Sequence, residues 1–250
     1  MAERITSKTN PCVQHVRKLY SDRKYRYACR AFVADGSKLV SEALRWGGPP
    51  EAVLTQEGVD FPVPAGVRHI EVPEQLMKSI SRMDAPQGVL AVCRMPQPEP
   101  LRLAPGTLVL DGIQDPGNLG TILRTADAFS VPVVLSDGCA DPYLEKTVRA
   151  TMGAVFRSPP QQAAQAEILD LLRQRELPLC VTALSETARD IRTMRLSDCV
   201  TVVGSEGRGV SEAFLRAAQL RAIIPMSPGC ESLNAAVAAA IVLWQVISDK

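Results

Sequence analysis

The feature that most constrains the fold is a regular alternation of strand-like and helix-like segments in the second half of the chain. The apolar run TLVLDGI precedes the helical pattern NLGTILRTADAF, and VPVVLSD precedes YLEKTVRATMG. Three further apolar runs follow, LPLCVTAL, CVTVVGSEG and RAIIPM, with helical patterns after the second and the third. Such alternation is typical of a parallel sheet with helices on both faces. We therefore predict an α/β domain built on a parallel sheet.

A proline-rich stretch separates this region from the N-terminal part of the chain. The twelve residues MPQPEPLRLAPG contain four prolines, which argue against both a regular helix and a central strand. Before them, apolar runs such as RAFVADG and GVLAVCRM alternate with helical patterns such as SKLVSEALRW. We predict a small N-terminal α/β domain over residues 1–95, a linker over 96–106 and the parallel-sheet domain over 107–250.

Basic residues are concentrated at the N-terminus. Residues 1–30 hold eight lysines and arginines against two acidic residues, whereas the remaining 220 residues hold 20 basic and 25 acidic side chains. This asymmetry points to a polyanionic partner at one end of the molecule. The candidate RNA contacts are five cations of the helical segment PCVQHVRKLYSDRKYRY, namely Arg17, Lys18, Arg23, Lys24 and Arg26. The alternative is a solvated helix whose tyrosines pack on their own domain.

Cysteine usage and the chain ends indicate a soluble cytoplasmic protein. The seven cysteines include no CxxC pair and several lie in apolar runs, which predicts buried, reduced thiols. The opening MAERITSKTN lacks the apolar core of a signal peptide. The apolar C-terminal run approaches the length of a membrane span, but Asn234 and Gln245 interrupt it.

Three strand-to-helix junctions of the second domain are rich in glycine and polar residues. They are DGIQDPGNLGTILR, VVGSEGRGVSE and IPMSPGCESLNAAV. In open parallel sheets, ligands bind beyond the carboxyl ends of the strands, where such junctions meet. The glycines of GSEGRG match neither GxGxxG nor a GK[ST] loop, which argues against a dinucleotide-dependent oxidoreductase.

Each junction also has a purely structural interpretation. Arg124 alone is typical of a surface arginine on an amphipathic helix, or of a partner for Asp127. Ser232 has the character of an N-cap for the last helix. Asn234 is less easily explained, because it begins a run without charge from Ser232 to Ser248, where a buried amide must find partners.

Taken together, the three junctions resemble the three ordered motifs of the SpoU-type RNA ribose 2′-O-methyltransferases, TrmH-like members of the SPOUT superfamily. The matching stretches are GNLGTILRTADAF, VVGSEGRGVSE and IPMSPGCESLNAAVAAAI, and the resemblance covers roughly residues 107–247. The upstream KYRYACRAFVADGSKLVSEAL resembles the family's substrate domain, which is similar to RNA-binding ribosomal proteins. The resemblance implies a deep trefoil knot in the C-terminal α/β domain. It also implies a homodimer in which the last helix packs against its counterpart.

The resemblance further implies the reaction and its residues. S-adenosylmethionine is the implied methyl donor and a ribose 2′-hydroxyl of structured RNA the acceptor, in ribosomal rather than transfer RNA. The implied cofactor-binding residues are Gly204, Ile224, Met226, Gly229 and Leu233. The implied catalytic residues are Arg124, Asn118, Glu206, Ser232 and Asn234. Arg124 is expected to bind the target phosphate while Glu206 and one of the two asparagines align it.

The residues present favour neither a metal site nor a protein that has lost its catalytic activity. The two histidines, His15 and His69, do not lie among clustered ligands, so no metal site is expected. The alternative function is a non-catalytic RNA-binding protein on the same fold. The sequence retains all four of the residues expected in an active site, which argues against this alternative because a degenerate site would have lost at least one: Arg124, Glu206, Ser232 and Asn234.

Overall fold

The structure is a computed structural model that describes residues 2–185, 187–227, 229 and 232–248. The chain forms two units, one comprising Met1–Gln97 together with Tyr143–Arg157 and the other Pro98–Pro142 together with Ser158–Lys250. The strands are β1 (Glu3–Arg4), β2 (Ala31–Asp35), β3 (Ala52–Gln56), β4 (His69–Val72), β5 (Val89–Arg94), β6 (Leu108–Asp111), β7 (Val133–Leu135), β8 (Gln161–Gln162), β9 (Leu179–Thr182), β10 (Arg189–Asp190), β11 (Val200–Gly204) and β12 (Leu220–Ile223). The helices are α1 (Pro11–Ser21), α2 (Arg23–Cys29), α3 (Ser37–Trp46), α4 (Glu74–Ile80), α5 (Pro116–Ala128), α6 (Glu145–Thr151), α7 (Ala154–Arg157), α8 (Gln165–Gln174), α9 (Glu212–Ala217) and α10 (Ala235–Ser248).

The first unit is built on a mixed sheet in the order β1-β4-β3-β5-β2. β5 runs antiparallel to both of its neighbours, whereas β4 pairs in parallel with β1 and β3. One face carries α1 and α4, whose Val16 and Met77 are buried, and the other carries α3 with its buried Val40. Alternating strand residues therefore serve two cores, which explains why β2 is buried along its whole length.

A segment from the middle of the chain completes the first unit. Tyr143, which precedes α6, and Phe156 of α7 place their rings 4.9 Å and 5.6 Å from the ring of Phe32. Val148 of α6 belongs to the same buried cluster. Tyr143–Arg157 thus packs in the first unit, although in sequence it lies within the stretch predicted as the second domain. Local patterns cannot reveal this arrangement, because they show that a helix is amphipathic but not which sheet it covers.

The second unit confirms the predicted parallel sheet. Its strand order is β10-β12-β9-β11-β6-β7-β8, and every neighbouring pair is parallel. α5 and α10 pack on one face, where Leu119 and Leu243 are buried, and α8 and α9 pack on the other, where Phe214 is buried. Part of the proline-rich stretch joins this unit, since Leu103 is buried beside Val109. The knot implied by the family resemblance stays a prediction.

Helix α10 explains how an uncharged C-terminal segment is accommodated. Ala239, Val242 and Leu243 are buried in the core of the second unit. The opposite side is not polar, because Val237 and Trp244 are 49% and 60% exposed. One side of the helix is therefore covered by its own sheet, whereas an apolar stripe is left open. Among the described helices, none is long and apolar enough to span a membrane.

The cysteines agree only partly with the prediction of buried thiols. Cys93, Cys180 and Cys199 are buried, Cys12 and Cys139 are partly buried, and Cys29 is exposed, all six as free thiols. Burial raises the pKa of the Cys93 thiol to about 12. Cys29 is exposed and ends α2, a helix in which Arg26 is the only buried residue. An expectation of burial based on the cysteine residue type alone does not predict this exposure. Cys230 lies outside the described residues.

Candidate active site

The candidate site lies at the carboxyl ends of four adjacent strands, in the order β12-β9-β11-β6. The loop after β6 leads into α5, whose first residue is Pro116 and whose N-cap is Asp115. The Asp115 carboxylate accepts a hydrogen bond of 2.7 Å from the backbone N–H of Asn118. This cap fixes the first turn of α5 and thereby the position of the Asn118 side chain.

A hydrogen-bonded cluster joins the three junctions singled out in the sequence. Asn118 donates from Nδ2 to Glu206 Oε1 over 2.5 Å. The same carboxylate oxygen accepts from the backbone N–H of Ala235 over 3.0 Å, and Asn234 Nδ2 lies 3.5 Å from it. Asn234 Nδ2 also donates to Asn118 Oδ1 over 3.1 Å. Asn118, Glu206 and Asn234, one residue from each junction, therefore meet in a single polar network although they lie far apart in sequence.

The start of α10 differs from the structural interpretation of the sequence. Asn234 Oδ1 accepts hydrogen bonds from the N–H groups of Ala236 and Val237, at 2.9 and 3.3 Å, so Asn234 caps the first turn of α10. Asn234 is also exposed rather than buried. Its amide serves two purposes, because the oxygen caps α10 while the nitrogen binds Asn118. Ser232 lines the neighbouring cavity.

The glycine loop after β11 owes its shape to a close backbone approach. A Cβ atom on Gly204 would lie 2.1 Å from the backbone carbon of Gly209 and 2.3 Å from the nitrogen of Val210. The chain folds back here, with the Gly209 N–H donating to the Ser205 carbonyl over 2.9 Å, and Gly209 has a φ of 67°. Gly204 is therefore required by its own loop.

A cavity of about 600 Å³ opens beside the cluster. Four of the five predicted cofactor-binding residues line it, together with Glu206 and Ser232: Gly204, Ile224, Met226 and Leu233. Its size lies within the range of small-molecule sites, and its wall combines apolar side chains with backbone and polar groups. The arrangement suits a flat apolar ring with polar substituents, and S-adenosylmethionine has this character.

Two predicted residues lie apart from these features. Gly229 is exposed with a φ of 90° and is absent from the cavity wall, so its role in cofactor binding stays a prediction. Arg124 is exposed on α5, and within the described ranges it forms no hydrogen bond or ion pair. The expected alignment of Arg124 by Glu206 is therefore not seen, and Glu206 Oε1 instead accepts from Asn118 and from the Ala235 N–H.

A fourth loop, which follows β9, also contributes to the cavity and was not predicted from the sequence. Leu184 and Ser185 of this loop line the cavity together with Thr182 at the end of β9, and Leu184 is 67% exposed. Three arginines that were not predicted also reach the wall: Arg208, Arg216 and Arg221. The available signal was the position of LPLCVTAL as one more strand of the sheet, since every carboxyl end near a switch point can contribute to the site.

The basic helices of the first unit carry four exposed or partly exposed cations and one buried cation. Lys18 and Arg23 lie 5.4 Å above the rings of Tyr25 and Tyr27, respectively. Arg26 differs, since it is 4% exposed and donates to the carbonyls of Leu19 and Tyr20 at the end of α1. The prediction that Arg26 contacts RNA is therefore corrected, because its guanidinium is used in joining α2 to α1.

The remaining candidates agree with the sequence in part. Arg17 donates to Ser79 Oγ over 3.1 Å, and Lys24 is exposed. Tyr20 is buried and donates its hydroxyl to Asp35, and its burial and Asp35 together raise the pKa of that hydroxyl. For Tyr20, the structural alternative is thus the correct one. No group of histidine, cysteine or acidic side chains suited to a metal occurs among the described residues.

The second unit has an open parallel sheet, with a polar network and a small-molecule cavity at the carboxyl ends of its strands. These features are typical of cofactor-dependent α/β enzymes. Comparison with known families identifies which kind. Residues 105–244 match the SpoU rRNA Methylase family, and residues 10–91 match the MRM3-like substrate binding domain. The chain belongs to the SpoU rRNA methylase family. It is an S-adenosylmethionine-dependent RNA 2′-O-methyltransferase.

Relatives and solved structures agree with this assignment over nearly the whole chain. The chain is 34% identical to the 23S rRNA (guanosine(2553)-2′-O)-methyltransferase RlmP of Bacillus subtilis, over 98% of this chain and 99% of that protein. It resembles the AdoMet-bound rRNA methyltransferase of Sinorhizobium meliloti, with a TM-score of 0.84 at 32% identity and coverage of 98% and 97%. The AdoMet complex of AviRb from Streptomyces viridochromogenes gives a TM-score of 0.83 at 25% identity, covering 96% and 97%.

Proposed function

We propose that this protein methylates the 2′-hydroxyl of one ribose in 23S ribosomal RNA. The observation that carries the proposal is the hydrogen-bonded cluster of Asn118, Glu206 and Asn234 at the edge of the cavity. The relative RlmP acts on a guanosine of 23S rRNA, and a more distant relative from Streptomyces viridochromogenes acts on a uridine of 23S rRNA. We also propose that the protein acts in the cytoplasm, the compartment in which bacterial ribosomes assemble.

The cavity is the proposed site of the methyl donor. S-adenosylmethionine supplies a methyl group on a positively charged sulfur. Ile224 and Leu233 offer apolar surface to its adenine, and the backbone at Gly204 offers polar groups without a side chain in the way. Glu206 would hold this wall in place, because its carboxylate links the loop after β11 to the starts of α5 and α10. Ser232 and Asn234 complete the edge of the cavity that faces the acceptor ribose.

Arg124 is the proposed partner of the acceptor nucleotide. A guanidinium remains protonated in proteins, so it does not serve as a simple base. Its charge can instead bind the target phosphate and stabilise negative charge on the 2′-oxygen as the hydroxyl proton passes to solvent water and the methyl group leaves the sulfur. The exposed position of Arg124, without a partner among the described residues, fits a group that is completed only when RNA binds. In this proposal Glu206 and the asparagines shape the site, and they do not hold the arginine.

Two further features support RNA binding and dimerisation. The first unit, which matches a substrate-binding domain, presents exposed Lys18, Arg23 and Lys24 to bind the RNA backbone. The second unit presents an apolar stripe on α10 that includes Val237 and Trp244, and we propose that a second copy of the chain covers it. A dimer of this kind would give the apolar C-terminal helix a partner on its open side.

The test is methyl transfer from labelled S-adenosylmethionine to RNA from a strain that lacks the protein. We expect label in 23S rRNA with wild type, and none with Arg124→Ala. The matched control is Arg195→Ala, which removes another exposed arginine of the second unit, one paired with Asp198 outside the cavity. Binding of S-adenosylhomocysteine should change less than about twofold in either variant, because Arg124 is placed at the RNA and not at the cofactor.

Mapping the labelled nucleotide separates the possible targets. Primer extension at the positions equivalent to guanosine 2553 and uridine 2479 compares the targets named for the two relatives. Label in transfer RNA would overturn the ribosomal assignment. Tight RNA binding without methyl transfer to any RNA, including precursor subunits, would instead favour the non-catalytic RNA-binding alternative. A large loss of cofactor affinity in Arg124→Ala would contradict the placement of Arg124.

A further inference from the structure

Arg208 stands on a loop whose backbone is held firmly. Its N–H lies 3.3 Å from Ser205 Oγ, and Ser205 and Gly209 on either side form a short antiparallel bridge. The close approach of Gly204 to Gly209 closes the same loop at its base. The Arg208 side chain is exposed and lines the cavity. A long cationic side chain thus projects from a fixed backbone at the opening of the cofactor site.

Other arginines on the cavity wall already have partners. Arg216 pairs with Glu212 at 2.8 Å, and Arg221 donates to the hydroxyl of Thr187 and the carbonyl of Leu215. In the part of the chain that the structure describes, the Arg208 guanidinium makes no hydrogen bond or ion pair. The loop is held by its backbone and by the Ser205 and Glu206 side chains, and the Arg208 guanidinium takes no part in these contacts. This combination is characteristic of a group that serves a ligand.

We propose that Arg208 binds a phosphate of the RNA next to the methylated ribose, on the side opposite the phosphate bound by Arg124. The inference rests on the proposed function and extends it. A ribose within an RNA chain has a phosphate on each side, and a guanidinium binds phosphate through two parallel hydrogen bonds. Arg208 is two residues from Glu206, which belongs to the polar cluster, so the loop spans the short distance from the cluster to the cavity opening.

The carboxylate of the methyl donor is the other anion that could occupy this position. An RNA phosphate fits better, because the Arg208 side chain lies on the exposed rim and is not enclosed by the cavity. A guanidinium held close to a positively charged sulfur would also weaken donor binding by repulsion. The two anions belong to different molecules, so their affinities can be measured separately.

The experiment compares Arg208→Ala, Arg208→Lys and the control Arg195→Ala with wild type. RNA affinity is measured on a 23S rRNA fragment at several salt concentrations in the presence of S-adenosylhomocysteine, and cofactor affinity is measured without RNA. We expect Arg208→Ala to weaken RNA binding about tenfold and to reduce the salt slope by about 0.7–0.9, as for one lost phosphate contact. Arg208→Lys should restore the slope but only part of the affinity, because lysine keeps the charge and loses the bidentate geometry.

The outcomes are distinct. Unchanged RNA affinity and slope in Arg208→Ala would overturn the inference, as would a loss confined to S-adenosylhomocysteine binding, which would assign Arg208 to the cofactor carboxylate. Equal losses in Arg195→Ala would show a general charge effect and overturn it too. If wild type neither binds nor methylates ribosomal RNA, the proposed function fails together with the inference. Methylation by wild type with an unaffected Arg208→Ala variant refutes the inference alone.

Discussion

At the scale of the residue, the functional loops depend on a few positions where side-chain size or hydrogen bonding is fixed. Gly204 is one, because a Cβ atom would collide with the backbone at Gly209 and Val210. Asn234 is another, because one amide both caps α10 and joins the cluster. Gly204 and Asn234 therefore determine the shape of the cavity wall and the position of the hydrogen-bonded cluster.

Substitution of Gly204 tests this dependence. Gly204→Ala should destabilise the protein by about 1–3 kcal/mol, since the loop must move to admit the methyl group. The displaced loop should also weaken S-adenosylhomocysteine binding at least tenfold, as measured by calorimetry alongside thermal melting. Gly207→Ala is the matched control, because a Cβ atom there meets nothing within 4 Å. Equal behaviour of the two variants would show that the close approach is not what determines the loop.

Much of the site was predictable at this scale, and the exceptions share a cause. Asn118, Glu206 and Asn234, which the family resemblance implied as site residues, lie close together because each belongs to a strand-to-helix junction at the carboxyl edge of a parallel sheet. Arg26 was misjudged, since composition shows a cation but not that the carbonyls at the end of α1 lie within its reach. Arg208 carries no pattern of its own, and only its position on the cavity wall distinguishes it from other exposed arginines.

At the scale of the element, helix α10 leaves apolar side chains of the second unit exposed. The stripe that includes Val237 and Trp244 would leave apolar surface in water if nothing covered it. We expect Trp244→Glu to convert the proposed dimer into a monomer at micromolar concentration, because the variant places a charge in an apolar interface. Analytical ultracentrifugation measures the mass directly. Gln174→Glu, on the exposed side of α8, is the control, and an unchanged dimer in Trp244→Glu would contradict the assignment.

The basic helices α1 and α2 give a second prediction at this scale. Replacing Lys18, Arg23 and Lys24 together with alanine should weaken RNA binding and lower the salt slope by about 2, since three exposed cations are lost. Arg26→Ala should behave differently. It should lower the melting temperature by several degrees, because a buried group that holds two carbonyls is removed. Unchanged RNA affinity in the triple variant at every salt concentration would refute the RNA-binding role of these helices.

At the scale of the whole molecule, the alternation of strands and helices predicted the parallel sheet, but not which unit each helix joins. Tyr143–Arg157 follows β7 in the chain and yet packs in the first unit. Its buried Tyr143, Val148 and Phe156 carry no mark that distinguishes one apolar core from another. Long-range assignments of this kind depend on the summed packing of both units, and short sequence windows do not contain that information.

The discontinuous first unit gives a prediction about fragments. Residues 1–97 alone should bind a hydrophobic dye and melt without a sharp transition, because Phe32 loses its contacts with Tyr143 and Phe156. Adding a synthetic peptide of residues 143–157 should reduce dye binding and raise the melting temperature. A scrambled peptide of the same composition is the control. A fragment that already melts cooperatively, and that ignores the peptide, would contradict the importance of the segment.

The same discontinuity has a consequence for synthesis of the chain. When residue 97 leaves the ribosome, sixty more residues must follow before Arg157 becomes available. At typical rates of 5–20 residues per second, roughly 3–12 seconds pass before the first unit has its C-terminal segment, Tyr143–Arg157. During that interval β6, α5 and β7 of the second unit emerge. The first unit therefore completes its core only after part of the second unit has emerged, and a pause or rare codon between residues 98 and 157 would prolong the time for which the apolar surface around Phe32 stays exposed.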